Sequence, residues 1–448
     1  MKPTDRRPFL RVAAPLLGLA LAACQTADPA KPISATPPAT TPHGAPRANP
    51  PPTVPPSANV STMSTVTIPN GAGFPQWVAA FKTEARQQGI AQATIDKAYA
   101  GVKYNTRVIE LDNFQPEFVS PIWTYIAERT KPETVTRGQQ LLAQHRALLA
   151  SVAAKYSVDP EVIVSIWRLE SNYGDNTGSF DVVEALSTLA YAGRRKDFWR
   201  EQLFAALNMI QRGDGPRNSQ GKLYGSWAGA MGHTQFIPTS FAIRAVDFDG
   251  DGRRDLWTSL PDVFASTANY LNNAQWRMGE RCYYEVKVPA NFDWTQADYD
   301  LRKPVAEWRR LGVTLVDGKT LPALSETTSI VMPAGARGPK FLVTANFRSV
   351  MAYNNAVAYA LSVCHLAALY KGGPAFVAPW PTDEQQLSRT EKIELQEALA
   401  RLGYDIGRPD GQIGPKTTAA IRAYQRKVGL PADAYPTASL LARIKRGV

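Results

Sequence analysis

The stretch Val162-Ile163-Val164-Ser165-Ile166-Trp167-Arg168-Leu169-Glu170-Ser171-Asn172-Tyr173-Gly174 has the marks of one short helix. Asp159 stands at an N-cap position, Pro160 suits the first helical position, Glu161 favours the positive end of the dipole, and Gly174 offers a stop. The apolar side chains Ile163, Ile166 and Trp167 recur at helical spacing, and the next position on that stripe is Glu170. A carboxylate therefore interrupts a core face. Burial disfavours its ionised form, and a place in the last turn, beside unpaired carbonyls and the negative end of the dipole, disfavours it further. Both effects raise the pKa, which is how an enzyme keeps a carboxylic acid protonated near neutral pH for donation to a leaving group. For a lone example, a buried glutamate paired with an arginine is the blander alternative.

Outward from this helix the chain is long enough, at 448 residues with 44% hydrophobic composition, to bury a large core and hold more than one domain. At the N-terminus, Arg6-Arg7-Pro8-Phe9-Leu10-Arg11 precedes an apolar run, and Leu21-Ala22-Ala23-Cys24 closes it. Residues 1–24 are a signal peptide on this pattern. The closing tetrapeptide resembles the bacterial lipobox, which implies cleavage before Cys24, lipidation of its thiol and a soluble domain tethered to a membrane. Gln25 rather than Asp follows, which implies the outer membrane of a Gram-negative cell. Arg6-Arg7 also resembles a twin-arginine export signal, although a charged start serves ordinary export equally well. Residues 25–70, rich in Pro, Ala, Thr and Ser, lack the apolar residues that would offset ordering entropy and are expected to be a tether.

The net charge of +11 is unaccompanied by a basic block or nucleic-acid motif, so no nucleic acid is expected and an anionic cell-wall polymer is the better partner. Cys282 and Cys364 remain after Cys24, and export allows them either to pair or to stay as partly buried thiols. Ordered structure is expected from Phe74, with Trp77, Phe81 and Ala85 on one helical face. Periodicity then predicts helices over 134–156 (Leu141, Leu148 and Val152 inward), 183–189, 198–211 and 355–370. Between Cys282 and Phe347, short strands around a helical 305–311 predict an α+β insertion.

Gly225-Ser226-Trp227-Ala228-Gly229-Ala230-Met231-Gly232-His233-Thr234-Gln235-Phe236-Ile237-Pro238 combines small residues with a few polar ones, as a backbone built for close packing does. Taken with Glu170-Ser171-Asn172-Tyr173-Gly174 and with Gln235-Phe236-Ile237-Pro238-Thr239-Ser240, in this order, it resembles the membrane-bound lytic murein transglycosylase B family over about residues 115–370. The resemblance implies a mainly α, lysozyme-like domain over 71–375, with the α+β insertion at 276–347. It implies that Glu170 is the catalytic acid and base, and that Ser226 and Gln235 orient it or bind sugar amides. Tyr125, Tyr353, Asn354 and Tyr359 are implied to line the cleft, and Arg195 or Lys196 to meet a peptide carboxylate of the substrate. Ala356 departs from the family, where a small hydroxyl residue is common, which touches the wiring behind Asn354.

Asp247-Phe248-Asp249-Gly250-Asp251-Gly252-Arg253 carries oxygen ligands at alternating positions and a glycine at the turn, as an EF-hand loop does. Thr258 stands where a closing glutamate would, so Asp262 is the expected substitute. The expected ligand set for a structural calcium or sodium ion is Asp247, Asp249, Asp251, Arg253 and Asp262; no organic cofactor is expected. After a boundary at 374–381, residues 386–446 resemble the three-helix peptidoglycan-binding domain, on Leu395-Gln396, Leu399, Leu402-Gly403-Tyr404, Asp410-Gly411-Gln412-Ile413-Gly414-Pro415 and Ile421 with Tyr424-Gln425.

The combined expectation is a lipid-anchored periplasmic lytic transglycosylase that cleaves the MurNAc-GlcNAc β-1,4 bond of peptidoglycan without water, leaving 1,6-anhydromuramoyl ends. A hydrolytic muramidase and a non-catalytic wall-binding scaffold are the alternatives. Beyond glycan strands, and the membrane reached through the anchor, cell-wall synthesis proteins are candidate partners. Asp175, Asp181 and Glu184 lie near Glu170 in sequence, but none repeats its place on an apolar stripe. One acid and no nucleophile points to the substrate's own acetamido group as the missing partner.

Overall fold

The computed structural model describes residues 70–114, 120–217, 219 and 221–447. The signal peptide, Cys24 and all of the tether except Asn70 lie outside the described residues. Among those described, no helix is long and apolar enough to cross a membrane.

Helices with one apolar stripe each must bury it against neighbours, and here they do so in two cores. One gathers the helices Pro160–Ser171, Arg146–Tyr156, Leu260–Asn273, Ala345–Tyr353 and Val357–Tyr370. The other gathers Phe74–Gln87, Val182–Ala192, Lys196–Arg212 and Pro238–Arg244, with Phe81 and Ala85 inward as their spacing predicts. Tyr353 packs against both. Glu170 comes off the last turn of the Pro160–Ser171 helix and meets side chains brought from elsewhere in the chain.

The helix predicted over 134–156 is in fact two, Pro132–Gln144 and Arg146–Tyr156. The chain breaks at His145, whose ring sits edge-on to Trp167 at 6.2 Å and to Phe264 at 5.7 Å. Asp159 holds the N-cap position of the Glu170 helix without capping it. Its carboxylate instead accepts from the Trp276 indole, the Gly279 N–H and the Lys371 ammonium, all within 3.0 Å. Periodicity locates a helix end but cannot say which long-range donors will compete for the cap.

The insertion is a five-stranded antiparallel sheet in the order Lys303–Pro304, Thr327–Val331, Lys340–Val343, Tyr283–Lys287, Thr314–Leu315. The helix Val305–Arg310 lays fully buried Trp308 into a core with Val286, Ile330 and Leu342. A disulfide joins Cys282, just before the strand Tyr283–Lys287, to Cys364 in the helix Val357–Tyr370, with Cα atoms 5.9 Å apart.

The C-terminal module has the helices Arg389–Arg401, Pro415–Lys427 and Ala438–Arg446 around its own core. Ser388 and Glu391 form a capping box at its start. The segment leading to it, which contains the boundary expected at 374–381, is held to the rest of the chain at several points. Phe376 stacks on His365 at 3.8 Å, and the Glu285 carboxylate accepts from the N–H groups of Val377 and Ala378. Trp380 lies against Trp123 and Phe341, and Arg337 pairs with Asp383 and Glu384. Asp433 of the module accepts from the Ala336 N–H at 2.7 Å, so module and insertion share a hydrogen bond.

Candidate active site

The Glu170 helix ends in an unusual way. Asn172, Tyr173 and Gly174 take φ values of 54°, 61° and 90°, three successive residues in the left-handed region. For a bulky side chain such as Tyr173 this backbone is costly and needs outside support. The Tyr173 hydroxyl supplies part of it, donating to the Thr134 carbonyl at 2.9 Å and lying 2.8 Å from the Tyr370 hydroxyl. Ser171 supplies more: its hydroxyl lies 2.9 Å from the His233 carbonyl and accepts from the Gly174 N–H.

Glu170 itself keeps partial exposure, yet protein atoms crowd its carboxyl. Burial pushes its pKa up to about 7, an effect the Tyr359 hydroxyl opposes by donating to Oε1 at 2.5 Å. Solvent still reaches one side, but the direction is fixed by the apolar stripe below and by the absence of an ion pair to Glu170 among the described residues. The buried-pair alternative is not what the fold provides.

Tyr359, nearly inaccessible, stacks against Tyr353 with ring centroids 6.5 Å apart and 11° between planes. Tyr353 donates its hydroxyl to the Thr234 carbonyl at 2.6 Å and packs on Tyr270 at 4.7 Å. Tyr125 lies under the Arg129 guanidinium, 3.3 Å from the ring centroid. Burial raises the pKa of Tyr125, Arg129 opposes the rise and the Glu170 carboxylate adds to it, as it does for Tyr359. Asn354 sits at the break between the helices Ala345–Tyr353 and Val357–Tyr370. Glu170, Tyr125, Tyr353 and Tyr359 thus form one cluster.

Ser226 and Gln235 have more local duties than their expected part in orienting Glu170. The Ser226 hydroxyl accepts from the Ala228 and Ala230 N–H groups and shapes its own loop. Gln235, at φ 49°, donates its amide to the carbonyls of Gly232 and Thr177, and so ties this segment to the turn after the Glu170 helix. The small residues of the segment are there for contact: a Cβ on Gly225 would lie 2.3 Å from the Ala230 carbonyl oxygen, and one on Gly232 would lie 2.4 Å from that of Leu256. Tyr270 and His233 belong to the site and carried no signal in the sequence, since lone aromatic and imidazole side chains at such positions are ordinarily core. Arg195 instead covers the rings of Phe198 and Trp199 at the start of its helix.

Carboxylate oxygens of Asp247, Asp249 and Asp251 lie within 4.8 Å of one another. Such an oxygen-only set suits a hard cation, which would relieve the repulsion of the three charges. Asp262 is not part of this cluster. Its two oxygens accept from the Phe248 and Asp255 N–H groups at 2.7 and 2.8 Å, so it braces the loop from behind. The Arg253 side chain is also turned away, donating to the carbonyls of Gly215 and Pro216.

Residues 73–368 match the family model described as the transglycosylase SLT domain, and residues 388–444 match that of a putative peptidoglycan binding domain. Membrane-bound lytic murein transglycosylase B of Escherichia coli K12 is 30% identical over 237 residues; the match covers 52% of this chain and 63% of that protein's length, a little under two thirds. SltB3 of Pseudomonas aeruginosa, solved in complex with NAG-anhNAM-pentapeptide, is 49% identical with a TM-score of 0.81, over 84% of this chain and 100% of its own. The Escherichia coli lytic transglycosylase Slt35 in complex with calcium is 26% identical with a TM-score of 0.55, over 67% and 93%.

Proposed function

The chain belongs to the transglycosylase SLT domain family and carries a peptidoglycan-binding domain after it, and from that premise we propose that it is a lytic transglycosylase of peptidoglycan. The observation that carries the reading is Glu170, lifted to about 7 by burial and held by the Tyr359 hydroxyl, so that near neutral pH it can donate a proton and then take one back. The acids nearest in sequence are engaged in structural work. Asp175 pairs with Arg137, Asp181 caps the helix Val182–Ala192 and meets Lys222, and Glu184 accepts from Asn105 and the Lys103 N–H. None of these three stands free as a nucleophile.

The two-carboxylate pattern of most glycosidases is therefore replaced by the substrate-assisted one. Glu170 transfers its proton to the glycosidic oxygen as the bond to C1 of N-acetylmuramic acid breaks. The acetamido oxygen of the same sugar bonds to C1 in its place. Glu170, now a carboxylate, removes the proton of the C6 hydroxyl, whose oxygen displaces the acetamido oxygen from C1. A 1,6-anhydro ring results, Glu170 is protonated again, and no water is consumed. Ring closure within one sugar gains from proximity. Tyr353, Tyr125 and Asn354 line the cleft, and Gln235 holds the turn beneath the acid. The anhydromuramoyl ligand bound by the Pseudomonas relative agrees with this product. Digestion of purified sacculi followed by mass spectrometry tests it: anhydromuramoyl ends are expected, whereas mainly reducing ends would mean a muramidase and no new ends a scaffold.

The anchoring of Cys24 in the outer membrane, periplasmic action and a calcium or sodium ion on Asp247, Asp249 and Asp251 complete the proposal. Metabolic labelling with a palmitate analogue in wild type and a Cys24→Ala variant tests the anchor. The sequence around Cys24 and the affinity of the C-terminal family for the wall support the location.

A further inference from the structure

Three strands of evidence meet on His233, a residue with no part in the proton transfers above. Its carbonyl lies 2.9 Å from the Ser171 hydroxyl, next in the chain to Glu170. Its Nδ1 accepts the Trp167 indole N–H at 3.0 Å, one turn before Glu170, and the two rings are within 13° of parallel. Its own N–H donates to the Leu256 carbonyl at 2.7 Å, beyond the acidic loop. The residues beside it extend the pattern, since the Thr234 carbonyl receives the Tyr353 hydroxyl and the Gln235 amide reaches Thr177. Gly174 closes the other side: a Cβ there would stand 2.4 Å from His233 Cε1, so the imidazole packs directly on the left-handed turn that ends the helix.

We propose that His233 is the positioning residue of the site, and that its neutral imidazole, accepting the Trp167 indole N–H, sets where the last turn of the Glu170 helix stands against the Tyr353–Tyr359 wall. The inference rests on the reading of Glu170 as the acid. The chemistry constrains the imidazole: with Nδ1 as acceptor its proton must be on Nε2, because a doubly protonated ring has no acceptor to offer. Burial acts in the same sense by pushing the His233 pKa down. Main-chain bonds from Asn172 and Tyr173 to the Arg168 and Trp167 carbonyls close the helix end upon itself, but they do not fix where that end stands against other elements. Its placement against the neighbouring segment comes from outside, by Ser171 on the His233 carbonyl and by Trp167 on the His233 ring. Proton transfer tolerates little displacement, and an error of about 1 Å costs on the order of a hundredfold in rate.

The test compares Trp167→Phe, His233→Ala and His233→Asn in the full chain, using soluble peptidoglycan strands and counting anhydromuramoyl ends. Trp167→Phe keeps an aromatic ring but removes the donor together with part of the buried indole, so the Asn-against-Ala comparison at His233 separates the lost hydrogen bond from the lost volume. Trp167→Phe is expected to lower kcat by about tenfold, with KM within about twofold and a melting temperature lowered by the lost indole volume. His233→Ala should lose more, and His233→Asn, whose amide oxygen can accept, should recover most of the loss. The Phe and Ala substitutions together should lose no more than His233→Ala alone, because they break one interaction. A Trp167→Phe variant with wild-type kcat overturns the proposal whether or not the His233 variants fold, as does an Asn variant no better than Ala. A Glu170→Gln variant that remains active would instead remove the reading on which it rests.

Discussion

Replacing Glu170 by Gln should stabilise the protein while abolishing its chemistry, and the gain should emerge only as pH rises. Burial lifts the Glu170 carboxyl from 4.5 to about 7. In the unfolded chain it ionises near its ordinary value. Between those two pH values the folded state keeps a proton that the unfolded state has released, so stability falls as pH rises, and above about pH 7 the loss is complete. At about 1.4 kcal/mol per pKa unit, the displacement from 4.5 to 7 sets a ceiling of about 3 kcal/mol. Solvent entering from the cleft reduces this to about 2 kcal/mol at pH 8, and less than about 1 kcal/mol acts at pH 5. Gln has the same size and no charge, and its carbonyl oxygen can still accept the Tyr359 hydroxyl. For a domain of this size about 1 kcal/mol moves the melting temperature by about 2–4 °C. The Gln variant should therefore melt about 4–8 °C above the wild type at pH 8, with the gap shrinking to about 2 °C or less at pH 5. Calorimetric melts of the two proteins at both pH values measure it. A gap that is the same at pH 5 and pH 8, or a Gln variant less stable at pH 8, would refute the argument that the acid is held against its charge.

Tyr359→Phe removes the hydrogen bond that favours ionised Glu170, so kcat should fall by about tenfold and the alkaline limb of the pH profile should move to higher pH; an unmoved limb would separate Tyr359 from the acid. Millimolar calcium should raise the melting temperature of metal-stripped protein in proportion to the logarithm of its concentration, as a ligand of the native state must, and Asp249→Ala should remove the response. An unresponsive wild type would mean that the three clustered aspartates hold no calcium. Deleting residues 386–446 should weaken retention on insoluble sacculi while sparing turnover of short soluble fragments, because the Ala336 N–H it uncovers lies where water can satisfy it and Arg337 keeps Asp383 and Glu384. A folded truncation inactive on soluble fragments would show that the docked module shapes the cleft itself.

Much of this protein was legible in its sequence because the signals were local. Periodicity located the helices, and the position of Glu170 on the stripe of Ile163, Ile166 and Trp167 singled it out as the candidate acid, since 3.6 residues per turn alone decide which side chains share a face. The two short motifs around it were read from residues contiguous in the chain. What the tertiary structure decided was every choice between competing long-range partners. Asp159 gave its carboxylate to Trp276, Gly279 and Lys371 in place of its own helix, and Asp262 braced two main-chain N–H groups in place of a cation. His145 broke one predicted helix into two. Cys282 and Cys364, which the sequence left paired or free, were joined because the insertion brings their Cα atoms to 5.9 Å. His233 gave no sign of its place, because an imidazole acquires a role only from the donor that faces it, and Trp167 lies 66 residues away in sequence. Hydrogen-bond partners are chosen by distance and angle in space, and only folding brings such donors and acceptors within reach.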